Sequence, residues 1–212
     1  MTAQLSVDWF GDRAVLVSCS ALDERARVAR TLSRLLPEDL VRSGMTTVLV
    51  ESAAPDADLL GRVESVLDSV PAGVDAEVSA GRTVDIVVEY DGPDLAPAAA
   101  ALGLTADELV SAHGLQSWRV AMMGFAPGFG YLVPEGDAVV DWSALARRDG
   151  PRALVPPGSV AIAAGMSAVY PTAMPGGWHL IGRTQVEIFV AERSAPALLA
   201  PDDVVRFLAG PR

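Results

Sequence analysis

The chain has 212 residues, of which 50% are hydrophobic and 20% are charged, a composition typical of a globular protein with one or two domains. Its formal net charge of −11 repels nucleic-acid phosphates and anionic lipids, so we expect neither nucleic acid nor a membrane as a partner. All sixteen basic residues are arginine. The absence of lysine excludes a phosphate-loop lysine and Schiff-base catalysis.

The chain contains one cysteine, Cys19, and two histidines, His113 and His179. A single cysteine excludes an internal disulfide, and the histidines lack metal-ligand spacing, so we expect no metal site in this chain. Residues 1–6 lack the basic and apolar segments of a signal peptide, and no apolar run is long enough to span a bilayer. These features predict a cytoplasmic protein.

The first part of the chain alternates between strand-like and helix-like patterns. Runs of β-favouring residues predict strands within residues 8–19, at 45–50 and at 76–79. Apolar residues at helical spacing predict amphipathic helices over residues 22–36 and 59–67. Helices on one face of a sheet, in this order, predict a small α+β N-terminal domain, ferredoxin-like, over residues 1–82.

The second part of the chain has fewer helical patterns. It begins with a predicted strand at 83–90 and two short helices, the second opened by a capping box of Thr105 and Glu108. Strand-like runs then alternate with Gly/Pro-rich turns. These runs lie at residues 118–123, 160–164, 178–181 and 186–190. Their spacing predicts a closed, mainly-β barrel over residues 83–212, with the long glycine loops as the natural place for a site.

The segment GFAPGFGYL at residues 124–132 combines three glycines with three aromatic residues. The glycines permit positive φ and close backbone approach, and the aromatics supply flat apolar surface. The segment either surrounds a ligand or forms a tight barrel turn with its aromatics in the core. It lacks the Gly-Lys-Ser/Thr ending of a phosphate loop.

Three arginines, Arg147, Arg148 and Arg152, lie close together just before the segment VPPGS at residues 155–159. The guanidinium group offers paired donors that suit a carboxylate or a phosphate. The alternative is a solvated loop whose arginines pair with neighbouring carboxylates. Those carboxylates are Asp137, Asp141 and Asp149.

Two further residues are candidates for chemistry. Strand alternation places Trp178 and Leu180 on one face and His179 on the other, where it would face a cleft as an acid or base, or remain structural. The segment GMSAV at 165–169 begins like a nucleophile elbow, but it lacks the final glycine, so Ser167 is a weak candidate nucleophile.

Four ordered motifs carry a resemblance to a known family. They are GFAPGFGYL at 124–132, VPPGSVAIAAG at 155–165, YPTAMPGGWHLIGRT at 170–184 and PDDVVRF at 201–207. With Gly11-Asp12 and EYDGPDL at 89–95, they make nearly the whole chain similar to the family of the 5-oxoprolinase B subunit, also named KipI-like or allophanate hydrolase subunit 1. Family members tend to carry Gln-Thr-Gly where this chain has Met166, Ser167 and Ala168.

The resemblance implies a cyclophilin-like barrel and a subunit of a complex that opens 5-oxoproline to L-glutamate at the expense of ATP. The implied partners are the C-type and A-type proteins of that complex, with a small carboxylated lactam as substrate and ATP with Mg²⁺ bound by the complex. Two alternatives stay open: amide hydrolysis in urea metabolism through allophanate, and non-catalytic inhibition of a histidine kinase.

We expect the candidate site to lie on the barrel. The residues expected to act in catalysis are His179, Arg152 and Arg183. The residues expected to contact substrate or ATP are Gly124, Phe125, Pro127, Gly128, Phe129, Tyr131, Arg147, Arg148, Ser159 and Tyr170.

Overall fold

The structure, a computed structural model, describes residues 5–69 and 81–210. The chain divides into two compact units, Met1–Ser79 and Ala80–Arg212. The boundary predicted after residue 82 stays a prediction, since the segment 70–80 lies outside the described residues, as does the strand predicted at 76–79. Across the described part of the chain, no helix is long and apolar enough to cross a membrane.

The N-terminal unit is a four-stranded antiparallel sheet with two helices. Its elements are β1 (Ser6–Trp9), β2 (Ala14–Ser18), α1 (Leu22–Leu35), β3 (Leu40–Ser43), β4 (Thr47–Glu51) and α2 (Leu59–Ser69). The strands lie in the order β1-β2-β4-β3, and Val15 and Val50 of the central strands are fully buried with Leu32 of α1. Alternating burial along β2 and β4 explains why their strand pattern was readable.

Most of the elements predicted for this unit are confirmed. The strand predicted at 76–79 lies outside the described residues. One further strand, β3, was not predicted, because it is a short edge strand whose Leu40 and Arg42 are both exposed. The ferredoxin-like topology stays a prediction, since its last strand would lie at 76–79.

The C-terminal unit is mainly β. Its elements are β5 (Thr83–Val88), α3 (Leu95–Ala101), α4 (Ala106–Leu115), β6 (Ser117–Met123), β7 (Gly130–Pro134), β8 (Arg152–Val155), β9 (Ser159–Ala163), β10 (Met166–Val169), β11 (Met174–Gly176), β12 (His179–Arg183) and β13 (Val204–Ala209). Seven of these strands form one sheet in the order β12-β9-β10-β7-β6-β13-β5, and β8 pairs separately with β11. The predicted capping box of Thr105 and Glu108 opens α4.

The two ends of the seven-stranded sheet meet just beyond β5. Glu89 and Arg183 exchange two backbone hydrogen bonds, each 2.9 Å from nitrogen to oxygen, so the sheet is nearly closed. The interior is filled by Ile86, Trp118 and Phe207 from the strands and by Leu109 from α4, all buried. The prediction of a mainly-β, barrel-like unit is confirmed, and the cyclophilin-like assignment stays a prediction.

One predicted strand is wrong. Residues 186–190 form only an isolated bridge between Phe189 and Ala197. The reason lies at the start of the segment, where the Val186 amide donates to the side-chain oxygen of Thr184 at 3.1 Å. This local bond bends the chain at the start of the segment, and among the described residues its backbone pairing across strands is limited to the bonds from Leu198 to Ile188 and from Val190 to Pro196.

The turn after β5 lies directly against β12. The Gly92 amide donates to the Ile181 carbonyl at 3.2 Å, and the Asp94 amide donates to the Leu180 carbonyl at 3.0 Å. A Cβ atom on Gly92 would lie 2.3 Å from the Leu180 carbonyl oxygen. Only glycine therefore allows the turn to run this close to the strand.

We expect Gly92→Ala to destabilise the C-terminal unit by more than about 2 kcal/mol, because the turn must move away from β12 and lose its hydrogen bonds. Gly150→Ala is the matched control, since no atom lies within 4 Å of a Cβ at Gly150. Urea unfolding of both variants measures the difference. Equal stability of the two variants would contradict this view of the turn.

Candidate functional site

Asp94, just before α3, draws together two of the three clustered arginines. Its Oδ1 accepts from Arg148 Nη1 at 2.7 Å and from Arg152 Nη2 at 2.9 Å, and its Oδ2 accepts from the Leu180 amide at 2.8 Å. Burial alone would raise the pKa of the Asp94 carboxyl, but the bonds from Arg152 and the Leu180 amide outweigh it and hold the pKa below its ordinary value. Asp94 is therefore an ionised, buried anchor for residues 147–152, here called the arginine loop.

The arginine cluster, defined as Arg147, Arg148 and Arg152, retains positive charge. One carboxylate serves two guanidinium groups, and Arg147 lies instead with its Cζ 6.0 Å from the centre of the Trp178 ring. Within the described residues, the carboxylate that Arg148 and Arg152 contact is Asp94, rather than the Asp137, Asp141 or Asp149 of the solvated-loop alternative. A cluster with excess positive charge on an acidic protein suits an anion.

Four rings pack beside the arginine cluster. They are Phe129, Tyr131, Tyr170 and Trp178, here called the aromatic cluster. The Phe129 ring lies 5.0 Å from Tyr131, 5.4 Å from Tyr170 and 6.1 Å from Trp178, all edge-to-face. Phe129, Tyr170 and Trp178 are buried and Tyr131 is half-buried. The first motif therefore supplies one ring, Phe129, to the core and another, Tyr131, to the partly exposed side of the aromatic cluster.

The Tyr170 hydroxyl links the two clusters. It accepts a hydrogen bond from the Trp178 amide, and burial raises the pKa of the phenol against the opposing charges of Arg147 and Arg152. Gly176 lies directly over the hydroxyl, and a Cβ there would be 2.2 Å from the phenol oxygen. The third motif therefore needs its glycine to hold Tyr170 beside the arginine cluster.

The loop between β6 and β7 presents one aromatic outward. Phe125 has φ of 69° and is 61% exposed, with its ring 5.5 Å from Phe129. The loop is pinned where the Gly124 amide donates to the Phe129 carbonyl at 3.0 Å. Pro127 next to it is exposed, so the turn offers apolar surface to the outside. A bulky residue in the left-handed region is strained, so the surrounding contacts must hold the loop in this conformation.

A cavity of about 300 Å³ lies beside the second and third motifs. Gly158, Tyr170, Thr184, Glu187 and Phe189 are among its lining residues, none of which is cationic. Gly128 and Gly158 both adopt positive φ and pack against its walls, where a Cβ would meet Phe189 and Thr184. Ser159 is buried and donates to the Pro156 carbonyl at 2.8 Å. An anionic ligand therefore suits the arginine cluster better than this cavity.

The two remaining predicted residues lie on β12. Arg183 is exposed and pairs with Glu89 at 2.7 Å and Asp91 at 3.0 Å, so two carboxylates surround its charge. His179 donates from Nε2 to the Ala146 carbonyl at 3.0 Å, and its buried Nδ1 has no hydrogen-bond partner among residues 5–69 and 81–210. His179 is thus fixed beside the arginine loop by one hydrogen bond, whereas Arg183 has its own acidic partners.

Ser167 has a histidine partner that the sequence did not reveal. Its Oγ lies 2.9 Å from His113 Nε2, and His113 Nδ1 lies 2.8 Å from the Tyr90 hydroxyl. This resembles a nucleophile, a base and an orienting group. However, Ser167 and His113 are fully buried, and the imidazole stacks on Phe207 at 4.5 Å. Substrate has no access to the pair, so it belongs to the core.

Sequence reasoning missed Asp94, Tyr90 and His113. The signal for Asp94 was a carboxylate directly after a Gly-Pro turn and before a short helix, within the EYDGPDL segment. No spacing signal existed for His113 and Ser167, which are 54 positions apart and meet only through the barrel.

Burial of His113 makes the stability of the protein depend on pH. Burial lowers the pKa of His113 from 6.5 to about 3. Between these values the unfolded chain binds a proton that the folded chain does not, so the free energy of unfolding falls as the pH drops from about 6.5, by up to about 1.4 kcal/mol per pH unit. His113→Gln should remove this part of the slope in urea unfolding between about pH 7 and 4.5. Identical slopes for the two proteins would contradict the assignment.

Comparison with known proteins shows the following. Residues 5–199 match the family model of the carboxyltransferase domain, subdomain C and D. The 5-oxoprolinase B subunit of Escherichia coli O157:H7 is 35% identical over 207 residues, 93% of each chain. The crystal structure of TTHA0988 superposes with a TM-score of 0.77 at 31% identity, over 94% of this chain and 40% of that longer chain. The urea amidolyase of K. lactis, at 16% identity and a TM-score of 0.68, covers 99% of this chain and 15% of that one, and shares the fold alone.

Proposed function

Because the chain belongs to the family of the carboxyltransferase domain, subdomain C and D, we propose that it acts as the B subunit of a 5-oxoprolinase complex. The observation that carries the proposal is its 35% identity, over 93% of both chains, to a protein of that name. In this role the chain contributes to an ATP-dependent hydrolysis that opens 5-oxoproline to L-glutamate. The complex works in the cytoplasm, together with a C-type partner and an A-type partner.

The arginine cluster is the part of this chain suited to the substrate. The carboxylate of a small lactam is an anion, and Arg147 offers a guanidinium that no carboxylate shares in the ion pairs of the described residues. The aromatic cluster beside it supplies a flat apolar wall for the ring. Arg148 and Arg152 add positive charge while Asp94 fixes their positions.

The other predicted residues take supporting roles in this proposal. His179 lies next to the arginine loop, where its Nε2 donates to the Ala146 carbonyl. Arg183, surrounded by Glu89 and Asp91, serves the closure of the barrel rather than the binding of an anion. The loop with Phe125 and Pro127 borders the aromatic cluster and completes its apolar wall.

The remaining chemistry comes from the rest of the complex. An unstrained amide is a poor electrophile, and phosphorylation of its oxygen by ATP turns that oxygen into a leaving group. Within the described residues, no group of three or more His, Cys, Asp and Glu side chains that could hold a metal ion is found. In this proposal Mg²⁺ and ATP are bound by the complex as a whole.

The likeness to urea amidolyase at 16% identity concerns the fold and does not favour allophanate as the substrate. No feature of the described residues favours a kinase-inhibitor role over the proposed one. The 5-oxoprolinase role is therefore the one to test first.

We expect the chain, mixed with its A-type and C-type partners from the same genome, to hydrolyse ATP in a manner that depends on 5-oxoproline. The measurement is phosphate release, together with glutamate formation. Omission of this chain should abolish both. Substrate-dependent activity with allophanate instead of 5-oxoproline would overturn the substrate assignment, and activity without this chain would overturn its role in the complex.

We expect Arg147→Gln to raise the KM of that complex for 5-oxoproline by about tenfold or more, because a charged hydrogen bond to the substrate carboxylate is lost. The matched control is Arg193→Gln, since Arg193 is also exposed but pairs with Glu187, which lines the separate cavity. The control should keep the wild-type KM. A KM unchanged by Arg147→Gln would exclude Arg147 from substrate binding.

A further inference from the structure

The buried contacts of His113 form a chain of hydrogen bonds with a defined direction. The Ser167 hydroxyl donates to the Ala161 carbonyl at 3.3 Å, so its oxygen is left to accept from His113 Nε2. On this basis we assign the imidazole proton to Nε2, and Nδ1 then accepts from the Tyr90 hydroxyl at 2.8 Å. We call Tyr90, His113 and Ser167 the buried relay.

The buried relay joins three separate elements. Tyr90 follows β5, His113 lies on α4 and Ser167 lies on β10. The imidazole is held in place by rings on several sides, with Phe207 at 4.5 Å, Trp118 at 5.2 Å and Trp142 at 6.1 Å. A side chain that is packed this way has little freedom to move, so it offers the Tyr90 hydroxyl a fixed acceptor.

Tyr90 stands at the start of the turn that ends in Asp94. Along this turn the backbone is bonded to β12 at Gly92 and at Asp94, and the Asp94 carboxylate receives the Leu180 amide. On the other side, the hydrogen bond between the Tyr90 hydroxyl and His113 Nδ1 is, among the described residues, the side-chain bond that ties the turn to the interior of the barrel. The position of the turn is thus defined from two directions, by β12 and by His113.

We propose that Tyr90 and His113 are positioning residues for the arginine cluster: the Tyr90–His113 hydrogen bond holds the 90–94 turn so that Asp94 meets Arg148, Arg152 and the Leu180 amide. Neither residue touches substrate. The link to catalysis rests on the proposed function, whereas the positioning of Asp94 is a property of the isolated chain. Ser167 orients the imidazole, but its own bond does not reach the turn.

The test compares two variants that each delete one hydroxyl from the same relay. Tyr90→Phe removes the bond to the turn, and Ser167→Ala removes the bond on the far side of His113. The measurement is amide hydrogen exchange on the isolated chain by NMR. The Leu180 amide reports on Asp94 because it donates to that carboxylate, and the Tyr170 amide, which donates to Ser159, serves as internal reference.

We expect Leu180 exchange, relative to Tyr170, to rise about fivefold or more in Tyr90→Phe and to stay within about twofold of wild type in Ser167→Ala. Equal effects of the two variants, or no effect of either, would overturn the proposal, because both results mean that the relay only fills the core.

A second pair of variants keeps the proposal testable if a hydroxyl deletion prevents folding. His113→Asn retains an acceptor near the Nδ1 position, and His113→Gln retains a donor near the Nε2 position. If the Tyr90–His113 bond positions Asp94, the Leu180 amide should exchange more slowly in His113→Asn than in His113→Gln, because only asparagine keeps the acceptor for Tyr90. Packing alone favours the opposite order, since glutamine is closer to histidine in volume. The reverse order would overturn the proposal, since it is the order expected from packing alone.

Within the complex, the same distinction should appear in the kinetics. We expect Tyr90→Phe to raise the KM for 5-oxoproline with little change in kcat, and Ser167→Ala to leave both unchanged. A wild-type complex without 5-oxoproline-dependent activity would refute the proposed function alone, because the exchange experiment needs no partner and no substrate.

Discussion

The buried carboxylate of Asp94 is the interaction on which the candidate site depends. It binds Arg148 and Arg152 on one side and a backbone amide of β12 on the other, so it ties the arginine loop to the seven-stranded sheet. Removing such an anion would leave two partly buried guanidinium groups without their partner, which costs more than the pair contributes when intact. Arg147, which Asp94 does not contact, lies against the Trp178 ring.

The glycines of the motifs serve the same arrangement. Gly92 lets the turn that carries Asp94 approach β12. Gly176, at the end of β11, leaves room for the Tyr170 hydroxyl to lie against the backbone of that strand. Gly128 and Gly158 adopt positive φ beside the cavity that has no cationic lining residue. These glycines are needed because backbone and side chains pack closely at their positions. The positively charged side chains of the candidate site come from the arginine loop, between the first and second motifs.

Local patterns predicted the elements that carry a clear signal along the chain. Both N-terminal helices have apolar residues at helical spacing, and Thr105 and Glu108 form a recognisable capping box. The runs that predicted β6, β9 and β12 contain mostly apolar residues between turn residues, and β9 is buried throughout. The edge strand β3 was not predicted because its side chains are little buried. Residues 186–190 were predicted as a strand from their β-favouring side chains, but the Val186 amide binds the Thr184 side chain instead of a neighbouring strand.

The site was only partly predictable for a different reason. The sequence indicated the arginines and the aromatic residues, because their clustering along the chain is visible. It could not show which arginines are neutralised, since Asp94 and Arg152 are 58 positions apart and Glu89 and Arg183 are 94 apart. The charge that is free for a ligand depends on such long-range pairs, and only the folded chain reveals them.

The turn between Glu89 and Asp94 is held by ion pairs of very different exposure, and ionic strength should act on them unequally. At one end, Arg183 meets Glu89 and Asp91 in solvent, where dissolved salt screens the attraction. At the other end, the Asp94 side chain is only 5% exposed and is shielded from dissolved ions. A rise in salt concentration would therefore weaken the ion pairs of Arg183 where the barrel closes, while the ion pairs of Asp94 with Arg148 and Arg152 would remain.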